Sequence, residues 1–486
     1  MSLLLFVLVA VGAAGLALAV RARRRTVSVV GIGGLGATTV AAYLIEPGQF
    51  VELAGTGLAT TTYIRLFLLL GSVIALGLGL AGIAAGTRRD APATAMAILA
   101  AGALTLGLRD PQAAVLVAAA GGLFGILVTL APRGGLAGAT VGIREARIVV
   151  VAGVLGLAAT AWFGRSQSGL QVEPVVLGLA YLSFAVAVAM RFGAIPFHLW
   201  AARLADTVPE TALPILTAVA PATLAIVALA WAETSVSAAV VDLGPARAVV
   251  LAIAIASILL GAVAAFVQDD VEHVLGYSIV GDAGVVILAL GSLDAEVWAP
   301  ARIWILVFVA TRCAFAAWAA GIRTGFWTGS VPDLGGWARR SPILGGALIT
   351  VAVASVGVPG LVGFDARATI VDLALDGPLA TLVLIGTLAP LAYYLRLLAV
   401  GLGDPGEAAR SVDPGLPRIH PFDRADIRAW GRMTWRDNRA FSAAAIALLL
   451  AGLALGTSAG IFGGPVAAAE RPPALEQAGP PESPAP

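Results

Sequence analysis

Long stretches without a charged residue recur from one end of the chain to the other. They run near 3–20, 26–45, 66–87, 91–108, 111–131, 148–164, 174–190, 211–232, 248–268, 274–293, 303–322, 341–364, 377–395 and 440–462, with an isolated charge inside a few. Each is close to the roughly 20 apolar residues that a helix needs to cross a hydrocarbon layer about 30 Å thick. Backbone polar groups have no water to bind there, so such stretches fold as helices. The expectation is an all-α, polytopic membrane protein with about 14 transmembrane helices. Composition agrees. Of 486 residues, 59% are hydrophobic and only 12% charged, about half the charged share of a soluble domain. That excludes a soluble enzyme, a disordered chain and a nucleic-acid binder. A net charge of +1 gives a polyanion nothing to hold. The single cysteine, Cys313, excludes a disulfide framework and reads as a small buried hydrophobe.

All 30 basic residues are arginine. They gather in alternate loops: Arg21, Arg23, Arg24 and Arg25; Arg88 and Arg89; Arg133, Arg144 and Arg147; Arg323, Arg339 and Arg340; and the loop 403–439. The intervening loops 46–60, 232–246 and 292–300 are nearly free of it. The positive-inside rule then places both termini outside the cytoplasm of a bacterial inner membrane. The first span has its arginines after it, which reads as an N-out helix and not a cleaved signal. The tail 463–486, rich in Pro, Ala and Glu, reads as disordered and external. Trp162, Trp200, Trp231 and Trp298 lie near span ends, where indoles anchor at the interface. Gly31, Gly33 and Gly36 spell a G-x-G-x-x-G pattern, but inside an uncharged span. Close helix packing is the better reading than a dinucleotide loop.

Two stretches are unlike ordinary membrane helices. In residues 190–227, Arg191, Pro196, His198, Asp206, Glu210, Pro214 and Pro221 interrupt the apolar run. In residues 355–378, Pro359, Gly360 and Gly363 precede Asp365, Arg367, Asp372 and Asp376. A helix break at membrane depth is tolerated where protein shields it or where it lines a wet cavity, and breaks beside charges mark ion paths.

These segments carry a resemblance. RFGAIPFHLW (191–200) with its acidic, proline-rich turn resembles the seventh span of the antiporter-like subunits of respiratory complex I. QDDVEHVLGYSIVGDAG (268–284) is similar to their tenth-span motif. DLGGWARRSP (333–342), SVGVPGLVGFDAR (355–367) and LAYYLRLL (391–398) resemble the N-type subunit in particular. The resemblance covers about 174–402 clearly. It implies two inverted five-helix repeats, spans 4–8 and 9–13, with spans 7 and 12 broken. The corresponding parts are N-terminal helices 1–108, the rest of the first repeat 109–232, the second repeat 246–402, the arginine-rich loop 403–439, a last span 440–462 and the tail 463–486. The implied activity is proton translocation coupled to electron transfer from NADH to quinone. NADH, FMN, iron–sulfur clusters and quinone would belong to partner subunits, with none bound by this chain. Other membrane-arm subunits and the lipid bilayer are the implied partners, and no nucleic acid is. A non-pumping scaffold, and a subunit of a membrane-bound hydrogenase or multisubunit cation/proton antiporter, are the alternatives.

The chain departs from the family at charged positions. Where the family has lysine, this sequence has Arg191, Arg367 and Ala222. The family's span-5 glutamate falls near Ala118 or Ala119, its tenth-span histidine at Asp282, and its Lys-Arg pair at Glu272 and His273. A buried lysine can load and release a proton, whereas arginine stays charged. Carriers must then be sought among Glu145, His198, Asp206, Asp282, Asp365 and Asp372, with Arg191, Arg312 and Arg367 as fixed charges. The bland readings are a solvated loop for Glu145, a polar turn for Asp206 and Glu210, and a backbone bond for His198. Arg312 would be a structural ion partner of Asp282, and Arg367 would neutralise Asp365 or Asp372.

Overall fold

The computed structural model describes residues 1–53, 56–86, 91–129, 135–166, 173–236, 243–403 and 438–462. The arginine-rich loop (apart from its two ends) and the tail lie outside them. The helices in order are α1 (Leu3–Ala19), α2 (Arg24–Tyr43), α3 (Thr62–Ala85), α4 (Ala91–Gly107), α5 (Pro111–Thr129), α6 (Gly135–Ser166), α7 (Pro174–Phe192), α8 (Leu199–Ala205), α9 (Ala220–Trp231), α10 (Gly244–Val267), α11 (Val271–Ser292), α12 (Trp298–Phe326), α13 (Trp337–Arg340), α14 (Pro342–Val356), α15 (Val362–Ala374), α16 (Gly377–Leu388), α17 (Pro390–Leu402) and α18 (Asn438–Ser458). Among the described residues, nine helical spans are long and apolar enough to cross a membrane, with further shorter apolar helices. A small antiparallel hairpin, β1 (Phe50–Leu53) and β2 (Thr56–Ala59), joins α2 to α3.

Large apolar side chains point outward from many helices, among them Leu8, Val154, Leu260, Ile385 and Leu449. In water such a surface would aggregate; against lipid it is the solvated face. α12 runs through the interior, packed against α3, α9, α11, α14, α15 and α18. Its Trp304, Phe308, Cys313, Phe315 and Trp318 are all buried. The G-x-G-x-x-G segment lies wholly within α2, where Gly31 touches Pro92 and neighbouring Gly34 fits against Met96 and Ala13.

Both expected breaks are present. α7 ends at Gly193, whose φ of 66° suits glycine, and the chain turns before α8. α14 ends at Gly357 (φ 74°), and α15 starts five residues later. Span 8 carries a π turn, Ile215–Val219, directly before α9 and Pro221, and a second, Ala232–Val236, after it.

Three sequence expectations need correction. Glu145 is not in a loop: α6 begins at Gly135 and Glu145 is 2% exposed. Its flanking arginines looked like a loop, but no breaker separates them from the apolar run. Trp200, Trp231 and Trp298 are buried against protein and present no ring to lipid, whereas Trp162 remains 38% exposed. Their rings fill helix junctions, as Trp231 does against Phe184 at 5.4 Å. Asp365 and Asp372 are exposed, away from buried Arg367. At 3.6 residues per turn, a residue five positions on lies about 140° around the helix, so Asp372 points away.

Candidate functional site

The first break brings Arg191 inward. It lies in the last turn of α7 and is buried. The facing wall is α5, whose Gly122 and Gly125 are one turn apart. A Cβ on Gly122 would stand 2.8 Å from Arg191 Nη2, and one on Gly125 would stand 3.7 Å from Glu145 Oε1. A side chain at Gly122 would press on the cation, and one at Gly125 would meet Leu216 first, with Glu145 in contact behind it. The acid that accompanies Arg191 is therefore on α6, and α5 supplies room. Ala118 lies on α5 one turn before Gly122, and the span carries no acid. The break's own backbone is satisfied by neutral groups. Trp200 Nε1 donates to the Met190 carbonyl at 3.1 Å, and the Ile195 N–H donates to Ser257 Oγ at 3.0 Å.

The second break is organised by arginines. Arg367, on α15, is buried and donates to the carbonyls of Ser355 and Thr387, each at 3.2 Å, and of Val356. These carbonyls close α14 and α16, where no following helical N–H reaches them. Its guanidinium also lies 5.3 Å from the Trp304 ring and 5.7 Å from the Phe364 ring. Beside it, Arg312 Nε of α12 sits 2.9 Å from Asp282 Oδ2 of α11, both buried. Arg312 also donates to Tyr393 Oη at 3.0 Å and to Ser355 Oγ. A cavity with room for about one water is lined by Asp282, Ser278, Arg367, Thr387 and Tyr393 together with apolar side chains. Ser278 and Thr387 give their hydroxyl protons to Leu275 and Leu384 carbonyls, so their lone pairs remain for the cavity.

α9 packs against α4, α5 and α7 and also against α11 and α12. Its Ala222 is fully buried, and Thr223 donates to its own helix at 2.8 Å. The two charged centres are thus separated by a span without charge at that position.

Asp206, Glu210 and their partners gather at the N-terminal end of α11. His273 Nε2 is 3.0 Å from Asp206 Oδ1. Arg323 of α12 holds Glu210 at 2.8 Å and also Glu272. Burial raises the Glu210 carboxyl above its ordinary value, with Arg323 opposing. Asp270, which caps α11 by accepting from the Glu272 N–H at 2.8 Å, is likewise raised by burial, with His273 and Arg323 opposing. His198 has a buried Nδ1 bonded to no protein atom, and its ring centre is 6.1 Å from that of Tyr277. Asp365 Oδ1 accepts weakly from Gly360 N at 3.4 Å across the second break. At the opposite end Arg302 pairs with Glu233 at 3.1 Å, a buried pair that the sequence reading missed because both residues sit at the edges of apolar windows.

Comparison with known proteins fits this arrangement. Residues 154–391 match the family model described as NADH:quinone oxidoreductase/Mrp antiporter, transmembrane. The chain is 28% identical over 254 residues to NADH-quinone oxidoreductase subunit N of Halorhodospira halophila, covering 51% of each. It is 26% identical over 286 residues to the subunit of that name from Hydrogenovibrio crunogenus, 58% of this chain and 55% of that one. The chain thus matches about half the length of these curated relatives. In fold, it superposes on a chain of the Mrp complex from Dietzia sp. with a TM-score of 0.74 at 17% identity, covering 96% of this chain and 97% of that one. For a chain of respiratory complex I from Thermus thermophilus the TM-score is 0.68 at 18% identity, covering 93% and 97%.

Proposed function

We propose that the chain is an N-type membrane-arm subunit of a complex I-like NADH–quinone oxidoreductase, a reading supported by the match of residues 154–391 to the family model described as NADH:quinone oxidoreductase/Mrp antiporter, transmembrane. Its part is proton translocation coupled to electron transfer carried out in partner subunits, where NADH, FMN, iron–sulfur clusters and quinone would reside. Both termini lie outside the cytoplasm in this reading, which the alternation of arginine-rich and arginine-free loops supports.

The observation that carries the reading is the buried constellation at the second break. Asp282, Arg367 and Tyr393 meet at a cavity with room for about one water, with Arg312 bound to Asp282 and Tyr393 beside it, inside a bundle whose interior is mostly apolar. Charge buried at membrane depth is costly and is kept where an ion path or a functional pair requires it. Arginine does not deprotonate, so Asp282 and Glu145 are the groups that exchange protons. Arg312, Arg367 and Arg191 set the field in which they do so. A proton on Asp282 competes with Arg312 for the same oxygen, and that competition would couple proton occupancy to the position of Arg312.

One observation favours a second reading, a non-pumping scaffold. Arg367 is tied to three backbone carbonyls and Arg312 to Asp282, Tyr393 and Ser355, which is what static charge would look like. The replacement Asp282→Asn in the assembled complex separates the two. A fall in protons moved per electron pair is expected, with NADH–quinone electron transfer retained. An unchanged ratio for both Asp282→Asn and Glu145→Gln assigns the scaffold role.

A further inference from the structure

Resting on the reading of this chain as one subunit of a membrane assembly, we propose that the outer face of the second break docks a neighbouring membrane subunit that brings a lysine or arginine to Asp365. Two independent observations meet on that face. The first concerns side chains. Asp365, Thr369 and Asp372 are all exposed, and steps of four and three residues set them in one stripe along α15. Among the described residues no cation pairs with either acid, and Asp365 receives only the Gly360 N–H at 3.4 Å. The second concerns backbone. Val358, Pro359 and Gly360, between α14 and α15, are exposed too. Among the described residues nothing accepts from the Val358 N–H, and nothing donates to the Pro359 and Gly360 carbonyls.

Depth comes from α12, which crosses alongside. Gly363 packs against Val307 of α12 and Ser458 of α18. Val307 is nine residues from Trp298 and sixteen from Arg323, so it lies about 14 Å from one end of the span and about 24 Å from the other. From there α15 runs toward the Trp298 end, where Ser292 and Arg247 bond the Leu373 and Ala374 carbonyls. The open turn and Asp365 are therefore inside the apolar layer, and Asp372 is near its edge. Lipid tails solvate neither. Irregular backbone at this depth needs protein or a wet cavity beside it, and a carboxylate there needs a partner. A neighbouring span with a cation meets the second need, and its polar side chains meet the first. A second copy across a two-fold axis would bring the same acidic stripe, so like charge would face like.

The test uses the whole complex in native membranes. A benzophenone-bearing amino acid in place of Thr369 puts a photoreactive group on the stripe and leaves Asp365 intact. Illumination should join it to a different membrane subunit, and peptide mapping should place the attachment beside a lysine or arginine within a span. A product with lipid alone, with residues 463–486 of this chain, with a second copy, or with a span lacking a nearby cation overturns the proposal. Asp365→Leu reads the charge. A lipid-facing site gains by losing a carboxylate, whereas a paired site loses. With this chain at its wild-type level in the membrane, recovery of the partner should fall about tenfold. Equal or greater recovery overturns the proposal. Replacing the partner's mapped cation by leucine should then restore recovery with Asp365→Leu, and failure to restore it overturns the pairing. Translocation is judged apart from docking by Asp282→Asn. An unchanged proton ratio there, with the Thr369 product present, removes translocation and leaves the docking face. A lowered ratio with only lipid captured removes the docking face and leaves translocation.

Discussion

The two helix breaks solve the same problem by opposite means. At the first, between α7 and α8, neutral groups satisfy the freed backbone: the Trp200 indole serves Met190 O, and Ser257 receives the Ile195 N–H. Arg191 is left out of that work and faces Gly122 on α5, with Glu145 nearby across Gly125. At the second, between α14 and α15, the arginine is itself the cap. Arg367 holds Ser355, Val356 and Thr387 carbonyls, and Arg312 adds the Ser355 hydroxyl and Asp282. So a buried guanidinium beside a helix break means different things in the two places. At break two it is built into the backbone and fixes it; at break one it is a charge held in a pocket. Five donors in a planar fork suit the first use, since two guanidinium nitrogens spaced apart reach carbonyls of two helices, whereas a lysine gathers its three donors on one nitrogen.

The comparison is broken most severely at Arg312. Arg312→Leu leaves Asp282 buried without its cation, a class of change that costs about 3–5 kcal/mol. The expected result is loss of the subunit from the complex, or a large fall in the complex's unfolding temperature. The double replacement Arg312→Leu with Asp282→Leu should recover much of the loss, because no unpaired charge remains. A double variant as damaged as the single one would show that Tyr393 and Ser355, and not the ion pair, are what Arg312 serves.

Arg367→Lys sharpens the contrast with a smaller change. The charge stays, but at least one carbonyl bond to it is lost, and such bonds contribute about 1.5–3 kcal/mol each. A measurable fall in thermal stability is expected here. Arg191→Lys at break one should cost less, since Arg191 caps no helix. Equal losses at the two positions would erase the distinction drawn between them.

Much of this was legible in the residues. The uncharged windows placed the spans, and Pro359 with Gly360 and Pro196 with Arg191 placed both breaks, because glycine, proline and charge are strong signals in an apolar background. The pairing of Arg312 with Asp282 was open to view as two isolated opposite charges in adjacent spans. What could not be read was direction around a helix. Asp365 and Asp372 lie near Arg367 in sequence yet face away, and the carbonyls that bind it belong to α14 and α16. Glu145, named as a candidate, was misplaced for a related reason: between Arg144 and Arg147 it looked like a loop, while the structure turns it inward on α6 and leaves it 2% exposed. Asp206 and His273 are 67 residues apart in the chain and share no pattern that spacing would reveal.

The smallest expected effect lies at Trp200. Trp200→Phe deletes the indole N–H that reaches Met190 O, a bond whose net contribution would ordinarily be about 1 kcal/mol. Here the loss should be smaller, because the Gly193 N–H also donates to that carbonyl, at 3.1 Å, and the oxygen is not orphaned. The ring itself remains and keeps the junction filled. Near-unchanged stability would then show that break one shares its backbone bonds among several weak donors. Break two concentrates them on one guanidinium, so no single neutral replacement at break one should approach the effect of Arg367→Lys. A Trp200→Phe loss as large as that of Arg367→Lys would mean that the first break, too, hangs on a single side chain.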